Sequence, residues 1–213
     1  QRVRDEKADI GIAFDGDADR MLAVDENGNM VDGDQIMAIC ANFMKKQGTL
    51  KKNTVVVTVM SNLGFTLMGE REGLHIATTQ VGDRYVLERM KAEGYNIGGE
   101  QSGHIIFLDS NTTGDGMLSA LRLLEVMVTE KKPLSELASV MEVLPQALVN
   151  AHVPNDRKTS YNDYSEIREG IRKLEDKFAG QGRILIRPSG TEPLVRVMIE
   201  GKNQNEIDRD AHE

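Results

Sequence analysis

The chain has 213 residues, 39% of them hydrophobic, with no tryptophan and a formal net charge of −8. That length holds one large domain or two ordinary ones, with enough Leu, Ile, Val and Met for a core. The acidic balance, with no Lys/Arg run longer than two residues, argues against nucleic acid or an anionic membrane as partner. No apolar run nears the roughly 18 residues of a membrane span.

The start, Gln1-Arg2-Val3-Arg4, shows neither an initiator methionine nor a signal-peptide pattern, as expected of a piece of a longer protein. Ala8 to Phe14 reads as a short strand and Met21 to Val24 as another. Between them lies Asp15-Gly16-Asp17-Ala18-Asp19-Arg20. Alternate residues of an extended segment point the same way, so three carboxylates converge. They repel unless a cation neutralises them, and hard oxygen ligands suit Mg²⁺, Mn²⁺ or Ca²⁺. An EF-hand would need a glycine at its sixth position and a glutamate at its twelfth. Counted from Asp15, Glu26 meets the second demand, but Arg20 fails the first and the flank is strand-like. A solvated acidic turn is the plain alternative.

Residues 20–25, the Asn27-Gly28 turn and 29–31 make a hairpin. Asp34 is expected to cap a helix over 35–47, closed by Gly48. Cys40, the lone cysteine, sits in that apolar pattern and excludes an intramolecular disulfide. It reads as a small core residue rather than a nucleophile, and fits a reducing cytosol. Thr54 to Val59 is a continuous apolar strand, the pattern of one buried on both faces. A helix near 63–72, a strand at 74–79, a helix at 83–93 and a short strand at 95–97 follow. Strand 105–108 comes next, then a long helix over 114–130 and another that Pro133 opens, running to about 141. The sequon at Asn111-Thr112-Thr113 is taken as chance. Strands alternating with helices predict an α/β layer with a mostly parallel sheet. After Met141 the pattern changes. A strand at 144–153, a polar stretch at 155–162, a helix at 164–178, strands at 183–187 and 194–199, and a helix near Gln204 predict a smaller α+β domain.

Three further loops carry polar chemistry. Gly98 to His104 frames Glu100, Gln101, Ser102 and His104 with glycines, apt for sugar hydroxyls at a strand end, or else a polar hairpin. Arg187-Pro188-Ser189-Gly190-Thr191-Glu192-Pro193, with Arg196 beyond, offers hydroxyls, backbone N–H groups and two guanidinium forks. That set suits a phosphate dianion, and a tight turn with a salt bridge is the alternative. Thr78 to Tyr85 joins a strand to a helix; Gly82 permits the turn, Asp83 is expected to cap the helix, and Arg84 to face a ligand.

Asp15–Arg20, Gly99–His104 and Arg187–Pro193, in that order, resemble the α-D-phosphohexomutase superfamily, from about residue 8 to the end. DGDADR with alanine at 18, GEQSGH, TTQVGDRYV and RPSGTEPLVRVMIEG look most like the bacterial branch acting on glucosamine phosphates. Relatives acting on mannose or glucose phosphates more often carry glycine at the position of Ala18. The resemblance implies a piece of a four-domain enzyme whose loops meet at one cleft. Residues 1–31 would be the tail of domain 2 with the metal loop, 32–141 domain 3 and 142–213 domain 4. The phosphoserine loop, usually worded T-A-S-H-N, occurs nowhere in this sequence.

The implied reaction interconverts glucosamine 6-phosphate and glucosamine 1-phosphate through a phosphoserine and a 1,6-bisphosphate. Asp15, Asp17 and Asp19 would hold Mg²⁺, with Arg20, His104 and Arg84 as catalytic groups. Glu100, Ser102, Gln80 and Asp83 would bind the sugar end, and Arg187, Ser189, Gly190, Thr191 and Arg196 the phosphate. Glucosamine 1,6-bisphosphate or glucose 1,6-bisphosphate would be the activator, and a hexosamine phosphate the small-molecule partner. The full-length enzyme would be cytoplasmic, with a homodimer allowed. The other readings are a phosphomannomutase/phosphoglucomutase and a non-catalytic sugar-phosphate-binding module.

Overall fold

A computed structural model describes residues 1–212, which form two compact units, Gln1–Glu142 and the residues from Val143 onward. Residues 1–31, expected as the tail of another domain, fall in the same unit as residues 32–141.

In the first unit a short helix the sequence did not reveal, α1 (Arg2–Glu6), precedes β1 (Ile10–Phe14), β2 (Met21–Asp25) and β3 (Met30–Val31). The three strands form an antiparallel sheet in that order. Its second turn is built on Asp25, whose carboxylate accepts the N–H groups of Asn27 and Asn29 at 3.0 and 2.8 Å. Helix α2 (Gly33–Lys46) starts two residues earlier than expected. Its cap is Asp32, in a capping box with Gln35. Asp34 is instead fully buried and accepts the N–H of Asn62 at 2.7 Å.

Strand β4 (Thr54–Thr58) is buried throughout. Beside it lie β5 (His75–Thr79), β6 (Ile97–Gly99) and β7 (Ile105–Phe107), in the order β5-β4-β6-β7. The β4–β5 and β4–β6 pairs are parallel and β6–β7 is antiparallel. Helices α3 (Leu63–Glu72), α4 (Asp83–Glu93), α5 (Gly116–Glu130) and α6 (Leu134–Ala138) complete the unit. The valine run explains the layers. Val55 and Val57 join a core with Met37, Cys40, Phe65 and Leu123, whereas Val56 points the other way, to Val86, Met90 and Ile106. One face is therefore packed by α2, α3 and α5 and the other by α4. Phe65 is wholly buried, and replacing it by alanine would cost about 3–5 kcal/mol. Burial pushes the Cys40 thiol up to about 12, consistent with an inert core residue.

The second unit has β8 (Gln146–His152), α7 (Ser165–Phe178), β9 (Arg183–Pro188), β10 (Leu194–Glu200) and α8 (Gln204–His212). Its sheet is antiparallel, in the order β8-β10-β9. Ala147, Phe178, Ile199 and Ile207 form the core. Glu200, fully buried on the central strand, is paired with Arg183 at 2.6 Å, which avoids the cost of an isolated buried charge. The chain is thus a mixed α/β layer unit followed by a smaller α+β unit. Among the described residues no helix is long and apolar enough to cross a membrane.

Candidate functional site

The loop from β1 to β2 brings Asp15, Asp17 and Asp19 together, with one ligand oxygen of each within 4.8 Å of the others. The loop closes through Ala18, at φ +59°, whose N–H donates to the Asp15 carbonyl. Arg20 donates its backbone N–H to Asp15 Oδ1 at 3.3 Å, and its guanidinium lies 3.7 Å from Asp15 and 3.8 Å from Asp19. One guanidinium against three carboxylates leaves net negative charge, and three convergent hard oxygens suit Mg²⁺. Glu26 takes no part. It lies beyond β2 and accepts from Ser135 of α6, which disposes of the EF-hand.

The β6–β7 hairpin carries the second loop. Gly98 and Gly99, expected in the loop, belong to β6. The turn runs from Glu100 to His104, with Gly103 at φ +94°. A Cβ on Gly103 would enter the Met21 backbone, and the Gly103 carbonyl accepts the Met21 N–H at 3.1 Å, so this hairpin leans on the acidic loop. Glu100 is half-buried and accepts the Gly82 N–H at 3.1 Å, joining the turn before α4 to the hairpin. Gln101 donates to Asp32 at 3.2 Å. Ser102 is exposed.

His104 occupies a different place from that expected of a proton-transfer or phosphate-contact group. It is only 4% exposed, and both ring nitrogens are engaged. Gly114 N–H donates to Nε2 at 3.1 Å, so Nδ1 carries the proton and donates to Asp19 Oδ2 at 3.0 Å. Arg84 is exposed on α4 and paired with Glu88 at 2.7 Å, which raises its pKa. Asp83 is the first residue of α4 and does not cap it; the cap position is Gly82, with no side-chain bond. The Asp83 carboxylate lies 3.8 Å from His104 Nε2. Gln80 is exposed in the same connection.

The second unit holds the β9–β10 turn. Ser189 is buried, and its hydroxyl accepts the Glu192 N–H at 3.1 Å, so this side chain shapes the turn. Gly190 and Thr191 are exposed. Lys158, which no sequence motif singles out, donates to the Ser189 and Glu192 carbonyls at 2.6 and 3.2 Å. Arg196 pairs with Glu192 at 2.8 Å while its Nε is buried without a partner among the described residues. Burial, and then the charge of Arg196, lower the pKa of Arg187.

A cavity of about 530 Å³ lies elsewhere in the first unit, between Phe43, Phe107, Asp109 and Arg122. It shares no residue with the loops.

The family model described as phosphoglucomutase/phosphomannomutase, alpha/beta/alpha domain III, matches residues 32–144. That family's C-terminal domain matches residues 123–213. A phosphoglucosamine mutase of Ruminiclostridium cellulolyticum is 63% identical over 211 residues, 99% of this chain and 47% of that protein. One from Acetivibrio thermocellus is 62% identical over 206 residues, 97% of this chain and 46% of that protein. The chain spans about half the length of these relatives. Among solved structures, Aspergillus fumigatus N-acetylphosphoglucosamine mutase, in complex with GlcNAc-6P and magnesium, has a TM-score of 0.74 at 24% identity. The alignment covers 94% of this chain and 47% of that one, and at such identity the likeness is one of fold.

Proposed function

The chain belongs to the phosphoglucomutase/phosphomannomutase family, and from that premise we propose that its full-length protein is a phosphoglucosamine mutase. It interconverts glucosamine 6-phosphate and glucosamine 1-phosphate, supplying the precursor of UDP-N-acetylglucosamine in the cytoplasm. A phosphoserine outside these residues gives its phosphoryl group to the free hydroxyl, the resulting 1,6-bisphosphate reorients, and the other phosphate returns to the serine. The bisphosphate, added as such, serves as activator.

The observation that carries this reading is the convergence of Asp15, Asp17 and Asp19, with Asp19 held by buried His104. These carboxylates would hold Mg²⁺, which when bound offsets charge on the transferring phosphoryl group. Arg20 adds positive charge at the same loop. Glu100 and Ser102 take the sugar hydroxyls, and Gln80 and Asp83 lie in the neighbouring turn. Arg84, freed from Glu88, is a phosphate contact. Arg187, Arg196, Gly190 and Thr191 hold the phosphate that is not reacting, on a turn shaped by Ser189 and Lys158. Residues 1–31, 32–141 and 142–213 correspond to the end of domain 2, domain 3 and domain 4.

Phosphorus NMR of the full-length protein with Mg²⁺ and bisphosphate should show glucosamine 6-phosphate converted with higher kcat/KM than glucose or mannose phosphates. A preference for mannose or glucose phosphates would replace this reading with a phosphomannomutase/phosphoglucomutase. The 213-residue polypeptide alone, which has no phosphoserine loop, should form no glucosamine 1-phosphate.

A further inference from the structure

The segment Gly114-Asp115-Gly116, which enters α5, touches the acidic loop from behind. Gly114 donates its N–H to His104 Nε2 at 3.1 Å, and His104 in turn donates to Asp19 Oδ2 at 3.0 Å. Two residues on, Gly116 donates its N–H to the Ala18 carbonyl at 2.9 Å. Asp115 fixes the segment between them. Its side chain caps α5 through the Leu118 N–H at 2.9 Å and accepts from Asn111 at 3.2 Å. The helix start thus holds both the turn residue Ala18 and, through one imidazole, the last carboxylate of the loop.

Both glycines are buried, and neither position has room for a side chain. A Cβ on Gly114 would lie 2.5 Å from His104 Nε2 and 2.6 Å from Nδ1. One on Gly116 would lie 2.6 Å from the Arg20 carbonyl oxygen and 2.9 Å from that of Ala18. The obstacles are a caged ring and the backbone of the loop itself, so a methyl group at either site must displace one or the other.

We propose that Gly114 and Gly116 are positioning residues, which set the Asp15–Asp19 loop for a divalent cation by bracing His104 and Ala18. This rests on the metal reading of the loop given above. Neither glycine touches the cation. Their action passes through the imidazole and the Ala18 carbonyl, as outer groups orient metal ligands elsewhere.

Manganese supplies a readout independent of turnover. Free Mn²⁺ is titrated by electron paramagnetic resonance against the full-length protein and its variants, with melting curves as the control for folding. Wild type should bind Mn²⁺ and Asp17→Asn should lose it. Gly114→Ala and Gly116→Ala should each weaken binding about tenfold or more. Should either glycine variant fail to fold, His104 gives the second handle. His104→Asn keeps an N–H donor near the Nδ1 position and should retain affinity within about threefold, whereas His104→Ala should lose about tenfold. Mn²⁺ lost in Asp17→Asn but bound with wild-type affinity by Gly114→Ala, Gly116→Ala and His104→Ala would overturn the positioning role and leave the metal reading standing. A wild type that binds no Mn²⁺ at Asp17 would overturn both.

Discussion

Arg187 and Arg196 stand directly opposite each other on the paired strands β9 and β10. Like charges in register across a ladder destabilise a sheet by about 0.2–1 kcal/mol. Glu192 answers only Arg196, and among the described residues Arg187 has no carboxylate partner. The arrangement is costly in a protein with no ligand and becomes favourable when a dianion lies between the two forks. Arg187→Gln should therefore raise the melting midpoint while weakening glucosamine 6-phosphate binding. A lost charge-assisted bond costs about 1.5–3 kcal/mol, or tenfold and more in affinity. Calorimetry on the full-length protein showing unchanged affinity for Arg187→Gln and for Arg196→Ala would reduce this loop to a turn.

Ala18 adopts φ +59°, a conformation that costs an alanine about 1–2 kcal/mol. Glycine there removes that strain but adds chain entropy to the unfolded state, about 0.4–1 kcal/mol. The difference favours glycine, so Ala18→Gly should stabilise the first unit by up to about 1.6 kcal/mol. The usual sign of an Ala→Gly change is the opposite. A lower melting midpoint in the variant would mean that the left-handed turn is not kept in solution.

Elements whose ends are marked by local chemistry were legible in the sequence. Helices α3 and α4 run over the expected residues because Gly73 and Gly94 end each in a left-handed cap. The acidic loop was legible in its three alternate aspartates but not in its shape, since residues 15–19 form a turn closed by Ala18 rather than the extended segment expected. Caps misled where two candidates stood close together. Asp34 looked like the cap of α2, yet the Asp32–Gln35 pair was in the sequence as well, and only burial distinguishes them. Gly98 and Gly99 read as loop because glycine is permissive. They are strand residues where a Cβ on Gly98 would meet the Val56 carbonyl oxygen at 2.7 Å and one on Gly99 the Met37 sulfur at 3.1 Å. The burial of His104 and the grip of Lys158 on the β9–β10 turn depend on partners 85 and 31 residues away in the chain. No local signal reports such contacts.

Asp210 on α8 bonds to Lys177 of α7 and to Arg209, and Lys177 also reaches Glu206 at 3.0 Å. Burial alone would raise the Asp210 pKa, but these partners hold it below the ordinary 3.8. A depressed carboxylate contributes stability above its unfolded pKa and loses it as pH falls through the folded value. Lys177, raised above 10.5 by Asp210 and Glu206, contributes below that pH and loses its share as pH rises through the folded value. Asp210→Asn should therefore melt earlier than wild type at pH 7, and the two curves should converge below about pH 3.8. A gap that stays constant from pH 7 to pH 3 would show that the ion pair adds nothing.

Asp17 separates the metal role of the acidic loop from its structural one. Asp15 accepts the Arg20 N–H and Asp19 is tied to His104, so changes at either disturb the loop itself. Asp17 is exposed and, among the described residues, makes neither a hydrogen bond nor an ion pair. Its carboxylate sits beside two others with no bond to offset the repulsion, which is unfavourable unless a cation is bound. Asp17→Asn keeps the shape and removes one charge. In metal-free buffer the full-length variant should melt at the same temperature as wild type or slightly higher. With Mg²⁺ present, wild type should gain stability by binding the ion and the variant should not. Turnover in the variant should fall by about a hundredfold or more, as expected when the cation that would offset charge on the transferring phosphoryl group is lost. Wild-type turnover in Asp17→Asn, together with an unchanged response of its melting curve to Mg²⁺, would show that the three carboxylates converge for some reason other than a metal.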